Sequence, residues 1–227
     1  MSNINGLRLH KMTAIERIRL RIEGEVFDYT QLMDALKEYK KPRDVVSGLL
    51  QKAYIIRIRK GLYIFGELWK RNGISKEALS NLVYGPSVIS LDFALAFYGL
   101  IPEHIHSVTA ITTGRSRVFN TPVGSFSYSQ QKATRLSFAY SLHNNNGSFL
   151  MAEPLKALAD KVWFDKRFKP TSTASYHDYL FDDLRIDEDV LSQHINLGFM
   201  QELDKVYSSR KITWLISYLK KQYLENE

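Results

Sequence analysis

Lys40-Lys41-Pro42-Arg43-Asp44-Val45-Val46-Ser47-Gly48-Leu49-Leu50-Gln51-Lys52-Ala53-Tyr54-Ile55-Ile56-Arg57-Ile58-Arg59-Lys60 is the stretch that decides how this chain reads. It holds seven of the 31 Lys and Arg residues and one acid, Asp44, so +6 falls within it against +7 for all 227 residues. Charge packed that densely beside an apolar pattern is the footprint of a surface facing phosphates. Pro42 suits the first position of a helix, where its missing N–H would have had no partner, and Asp44 complements the helix dipole in the first turn. Val45, Val46, Leu49, Leu50 and Ala53 then form the expected buried stripe. Asp44, Ser47, Gly48 and Gln51 point away from it, flanked by Arg43 and Lys52. Glycine inside a helix costs about 1 kcal/mol relative to alanine. Gly48 is either simply tolerated or leaves room for close approach to a duplex. After the helix the period changes to two. Ile56 and Ile58 alternate with Arg57 and Arg59, which predicts a strand with one apolar and one basic face. Lys60-Gly61 supplies the turn and Leu62-Tyr63-Ile64-Phe65 the return strand.

Working upstream, Thr13-Ala14-Ile15-Glu16 is a capping box. It predicts a helix to about Glu23, with Ile15, Ile18 and Ile22 buried and Gly24 ending it. Asp28-Tyr29-Thr30-Gln31 opens a second helix that buries Leu32, Met33 and Leu36. Three helices followed by a basic hairpin is the order of a winged helix-turn-helix, in which the third helix enters the major groove and the wing lies over the flanking backbone. The expected DNA contacts are Lys40, Lys41, Arg43, Ser47, Gly48, Gln51, Lys52, Arg57, Arg59 and Lys60. Arg57, Arg59 and Lys60 would meet phosphates, and Ser47, Gln51 and Arg43 would reach base edges. The plainer alternative is a helical module with a solvated basic hairpin. Winged helices also dock proteins.

Downstream, Gly66 to Gly73 reads as a linker, and a helix follows from Ser75, broken at Tyr84-Gly85-Pro86. Ser87–Ile89 is a short strand, and Ser90 is expected to cap a helix carrying Leu91, Ala94, Leu95 and Tyr98, ended by Gly99. Strand-like runs follow at 108–113, 116–120, 123–128, 136–142 and 148–152. A helix begins near Glu153-Pro154, and the pattern is helical from Asp178 onward, with Asp187-Glu188-Asp189 at a helix start and a final amphipathic helix over 210–224. The fold class is therefore α+β: a winged helix-turn-helix over 1–66, then a mixed α/β domain over 75–227 whose helical C-terminal extension starts at about 168.

Composition narrows the function classes. With 44% hydrophobic and 24% charged residues the chain reads as an ordinary globular protein. It has no cysteine, which excludes disulfides and thiolate metal sites and suits a reducing, cytoplasmic setting. No apolar run of membrane-spanning length occurs, and Met1-Ser2-Asn3-Ile4-Asn5-Gly6 does not open an export signal. Phosphate-loop, nucleophile-elbow and His-Glu-x-x-His patterns are absent. Gly147-Ser148 lacks the paired carboxylates of a nucleotidyltransferase and reads as a turn. His104 and His106 lack a third ligand, and Asp182-Asp183 and Asp187-Glu188-Asp189 read as helix-end acids. No enzyme, cofactor or metal is expected. Arg115 and Arg117, at strand positions of like parity beside Gly114, form either a second anion- or partner-contacting patch or a solvated strand face.

Four blocks in order resemble one family. They are Arg59-Lys60-Gly61-Leu62-Tyr63, then Ile89-Ser90-Leu91-Asp92-Phe93-Ala94-Leu95-Ala96-Phe97-Tyr98-Gly99-Leu100-Ile101-Pro102-Glu103, then Thr121-Pro122-Val123-Gly124-Ser125-Phe126-Ser127-Tyr128, and Ala152-Glu153-Pro154-Leu155-Lys156-Ala157-Leu158-Ala159-Asp160. Together, over about residues 12–165, the chain resembles the AbiEi antitoxins of type IV toxin–antitoxin and abortive-infection systems. The resemblance implies a DNA-binding winged helix joined to an antitoxin domain. It further implies autorepression through repeats in double-stranded promoter DNA, and a nucleotidyltransferase-like toxin as partner. It carries no catalytic residue. The alternative function is a stand-alone transcription regulator whose second domain senses a ligand or a partner. An enzyme acting on nucleic acid is the third.

Overall fold

The computed structural model describes residues 12–145 and 147–225. The opening residues read above for an export signal lie outside them, as does Asn146. The chain divides into two compact units: Met1–Ser75 with Thr121–Val123, and Lys76–Asn120 with Gly124–Glu227.

The first unit begins with α1 (Ala14–Arg21), started by the capping box: Thr13 N–H donates to Glu16 and Glu16 N–H to the Thr13 hydroxyl. The helix stops at Arg21, earlier than expected, because Ile22 turns extended (φ −112°, ψ 108°) to join the core, and Gly24 does not end it. Three residues then form β1 (Val26–Asp28), a strand too short to show periodicity. Asp28 and Gln31 close a second capping box on α2 (Tyr29–Ala35). Leu32 and Leu36 are buried, whereas Met33 is only partly so.

Next comes α3 (Pro42–Gln51), with proline in its first turn. Val46 and Leu49 are buried, and Val45 and Leu50 pack at the rim of the core. Ala53 is exposed and does not belong to the stripe. It lies past the helix end in the left-handed region (φ +52°). Its N–H donates to Leu50 O and that of Tyr54 to Leu49 O, a Schellman ending with alanine where glycine is usual.

The hairpin follows as β2 (Ile55–Arg59) and β3 (Leu62–Phe65), with Gly61 at φ +85° in the turn. β3 is central, antiparallel to both β1 and β2. The register slips between Arg57, opposite Tyr63, and Arg59, opposite Leu62, so Ile58 is the extra residue of a bulge. Ile58 is buried between exposed Arg57 and Arg59. Ile55 corrects the simple alternation: it has the parity of the arginines yet is 1% exposed. Ile56, expected with Ile58 on the apolar face, is only half-buried, so where the strand leaves α3 its buried side is the one that carries Ile55.

Residues 66–73 are not a free linker. Trp69 and Lys70 N–H donate to Gly66 O, Trp69 packs against Tyr54, and the Arg71 and Asn72 N–H groups each donate to the Glu25 carboxylate at 3.1 Å. Glu25 also pairs with Arg19 at 2.7 Å, and both are buried.

The second unit is mixed α/β. Its six-stranded sheet has the order β6-β7-β5-β4-β9-β8. The strands are β4 (Ser87–Ile89), β5 (Val108–Thr112), β6 (Arg117–Thr121), β7 (Gly124–Gln130), β8 (Tyr140–Asn144) and β9 (Ser148–Ala152). β5 runs parallel to β7 and β4 parallel to β9, while β4–β5 and β8–β9 are antiparallel. Leu136, expected in a strand, instead ends a short helix α6 (Ala133–Leu136) after α4 (Lys76–Val83) and α5 (Leu91–Phe97). Ser90 occupies the position before α5 but does not cap it, because its hydroxyl donates to Asp160 at 2.7 Å. Thr109 Oγ1 takes over, accepting from Phe93 N–H at 3.0 Å. Gly99 (φ +73°) ends α5 as read.

The helix α7 (Pro154–Phe164) packs on α5. The helical C-terminal region holds α8 (Ser175–His177) running into a π-helical turn at Asp178–Asp183, then α9 (Glu188–Ser192), α10 (Leu197–Tyr207) and α11 (Arg210–Tyr223). Asp187 caps α9 by accepting from Val190 N–H.

Candidate nucleic-acid interface

The apolar heart beneath α3 and the hairpin is built by Ile15, Ile18, Phe27, Leu32, Leu36, Leu49, Ile55 and Phe65. It fixes α3 with its outward face in solvent. Lys40, Lys41, Arg43, Asp44, Ser47, Gln51, Lys52, Arg57, Arg59 and Lys60 are all exposed, and Gly48 is half-buried. A Cβ added at Gly48 would meet nothing within 4 Å, so the surface there is open. Beside it a cavity of about 470 Å³ is lined by Glu16, Gly48, Lys52, Tyr54 and Trp69 among others. The Lys52 ammonium sits 5.9 Å from the Tyr54 ring centre.

The cations of this unit divide into two kinds. Arg17 and Arg21 pair with Glu38, Arg21 also donates to Asp34 O at 2.8 Å, and Arg19 is buried on Glu25 with its guanidinium 4.2 Å from the Phe65 ring centre. Those arginines are committed to holding the unit together. Among the described residues, Lys40, Lys41, Arg43, Lys52, Arg57 and Lys60 make no ion pair with a carboxylate. Arg59 donates to Lys60 O at 3.3 Å. Among the described residues of this unit, the exposed cations without a carboxylate partner lie mainly on and beside α3 and on the hairpin, with Arg71 apart from them in sequence. The sequence reading did not separate the two kinds; the acids Glu25, Asp34 and Glu38 around the first arginines were the sign that would have done so.

Ser47 differs from what its position suggests: its hydroxyl donates to the Arg43 carbonyl at 3.1 Å, so only its lone pairs remain for a partner. At the start of α1, the Thr13 hydroxyl and then its N–H hold the Glu16 carboxyl below the usual value.

No protein-family model matches the chain, and no curated protein matches it.

In the second unit, Arg115 and Arg117 do not share a strand as expected. Arg115 precedes β6, and Arg117 is its first residue, with its guanidinium 5.8 Å from the Tyr84 ring centre. Both are exposed, and residues 104–152 contain no Asp or Glu. His104 and His106 are exposed with ring centres 5.3 Å apart, and no group of three or more His, Asp or Glu residues converges on a metal position among the described residues. No helix among the described residues is long and apolar enough to cross a membrane.

The reading by sequence missed one buried polar cluster. Lys156 and Asp160, one turn apart on α7, are both 0% exposed and paired. Asp160 also accepts from Ser90 and Tyr207, with Gln131 Nε2 at 3.5 Å. Arg135 donates to Tyr207 O and lies 3.9 Å from the Trp163 ring centre. Burial lowers the pKa values of Lys156 and Arg135 and pushes the Tyr207 phenol well up. A Lys-x-x-x-Asp pair in a helix that is otherwise apolar nearly all round was the legible sign. Sealed from solvent, the cluster ties the start of α5, α6, α7 and α10 together.

Proposed function

We propose that this chain is a promoter-binding antitoxin and autorepressor. In this reading α1, α2, α3 and the β1–β3–β2 sheet form a winged helix-turn-helix, with α3 in the major groove and the β2–β3 hairpin as its wing. The observation that carries it is the division of cations: the arginines of α1 are neutralised by acids of their own unit, while the 40–60 cations stand exposed around α3 and the hairpin. Such a surface would bind duplex DNA largely through counterion release. The partner is double-stranded promoter DNA with repeats, and the second unit would counter a nucleotidyltransferase-like toxin, a role that rests on the resemblance at residues 89–103, 121–128 and 152–160. The expected setting is cytoplasmic.

Titration of upstream duplex DNA at several salt concentrations tests the DNA half. Neutralising about four to six phosphates gives a slope of log affinity against log salt of about −4 to −5. Changing Arg57 and Arg59 together to Ala should weaken binding on every sequence and flatten that slope by about 2. Unchanged binding in the double variant rejects the wing. Co-expression with the neighbouring reading frame tests the antitoxin half. A neighbour that stops growth alone and is silenced by this chain supports it, and a harmless neighbour leaves a stand-alone regulator.

A further inference from the structure

The three side chains along the middle of the outward face of α3 are Asp44, Ser47 and Gln51, at i, i+3 and i+7. Their chemistry is lopsided. An ionised Asp44 is acceptor-only, and among the described residues it makes no ion pair despite Lys40, Lys41 and Arg43 nearby in sequence. The Ser47 hydroxyl already donates its hydrogen bond to the Arg43 carbonyl and presents only lone pairs outward. Gln51 makes no side-chain hydrogen bond among the described residues and keeps both an acceptor and a donor group. Arg43 in the first turn and Lys52 at the C-cap lie about 80–100° around the axis from Asp44 and Gln51 at 3.6 residues per turn, with Arg43 nearer to Ser47. Lys52 faces the phosphates, while Arg43, close to Ser47, stays at the edge of the base-reading face, so Asp44 and Gln51 are left to read its middle.

Resting on the DNA-binding reading above, we infer that α3 selects its operator through exposed amino groups: cytosine N4 opposite Asp44 and adenine N6/N7 opposite Gln51. The major groove offers donors only at those two bases. Guanine presents N7 and O6 acceptors, which a carboxylate repels. Asp44 to Gln51 spans about 10 Å of helix, so the two selected pairs lie roughly three base-pair steps apart. Asp44 thereby acts by exclusion as much as by attraction. It lowers affinity for all DNA by facing a polyanion, and it recovers affinity only where a cytosine amino group meets it. Complementing the helix dipole, the other role open to an acid at this position, requires no base preference.

Selection of duplexes from a randomised pool by the full chain, by D44N and by Gln51→Ala decides the matter. The wild type should favour C·G at one position by about ten-fold over the other pairs, with A·T favoured about three steps away. D44N should lose the first preference to within about two-fold, keep the second, and bind unselected duplex as well as the wild type or several-fold better. Gln51→Ala should lose the second alone and carries the test if D44N fails to fold. Base preferences unchanged in both variants, or guanine selected on the strand read by Asp44, overturn the inference while leaving DNA binding intact. A wild type that retains no duplex from the pool overturns the DNA-binding reading itself, and duplex retained without enrichment overturns the inference alone.

Discussion

Asp160 is the buried carboxylate at the centre of the second unit's polar cluster. Its two oxygens take the Lys156 ammonium, the Ser90 and Tyr207 hydroxyls and the edge of Gln131, all out of water. Breaking a buried pair from one side leaves the other charge unpaired, a loss of about 3–5 kcal/mol. Asp160→Ala should fall in that range, because it strands a buried lysine together with two hydroxyls. Lys156→Met should cost less: the carboxylate it leaves behind keeps neutral donors from Ser90 and Tyr207, and methionine fills the space. Denaturant unfolding followed by far-ultraviolet circular dichroism compares the two, and a Lys156→Met loss equal to or above that of Asp160→Ala rejects this ordering. The same carboxylate explains why Ser90 is misread from sequence. A serine before a helix is a cap by local rules, but here a charge that is distant in sequence competes for the hydroxyl and wins, leaving Thr109 to serve the helix N–H.

Among the elements, α3 shows what local chemistry reveals and what it hides. Its start was legible because Pro42 and Asp44 carry their reasons with them. Its end was not, because Ala53 breaks the usual rule: the Schellman turn places a residue with a Cβ at φ +52°. Ala53→Gly should therefore stabilise the first unit by about 1 kcal/mol, read as a raised melting temperature, since only the left-handed penalty is removed. Gly48→Ala should also stabilise it, by up to about 1 kcal/mol, because the new methyl meets nothing and helix propensity improves. If Gly48 lies against a duplex, the same change weakens DNA binding. A stabilised variant with unaltered affinity would mean that the glycine is merely tolerated. The capping boxes at Thr13 and Asp28 were likewise readable, each reciprocal within four residues. β1 was not, because a three-residue strand has no period and exists only through its pairing with β3. Nor was the bulge at Ile58, since the alternation of isoleucine and arginine looks the same with or without it.

At the scale of the whole chain, composition located the basic face but could not order the sheet. The parallel pairs β5–β7 and β4–β9 join strands that are not consecutive, and such pairing depends on crossovers that no short window contains. The C-terminal region was illegible in role for a related reason: its tyrosines look like ordinary amphipathic residues until they are buried. Tyr176, Tyr179 and Tyr207 are at most 3% exposed, and burial raises all three phenols above the usual 10.0. A phenol raised in the folded state keeps its proton to higher pH than in the unfolded chain. Above about pH 10 the folded state then holds more protons, and stability falls as pH rises, by up to about 1.4 kcal/mol per pH unit for each tyrosine. Lys156 runs the opposite way. Burial sets its pKa below 10.5, so the unfolded chain holds the extra proton up to that value and stability rises across the window beneath it. Stability of the second unit should therefore hold or rise toward pH 10 and drop steeply beyond, with tyrosinate absorbance appearing together with loss of helix signal. Tyr179→Phe should make that drop shallower by about one tyrosine's share. Smooth ionisation of every tyrosine near pH 10 with the helices still folded would show that these phenols are open to water, and that the helical region does not pack on α6 and α7 as the buried cluster requires.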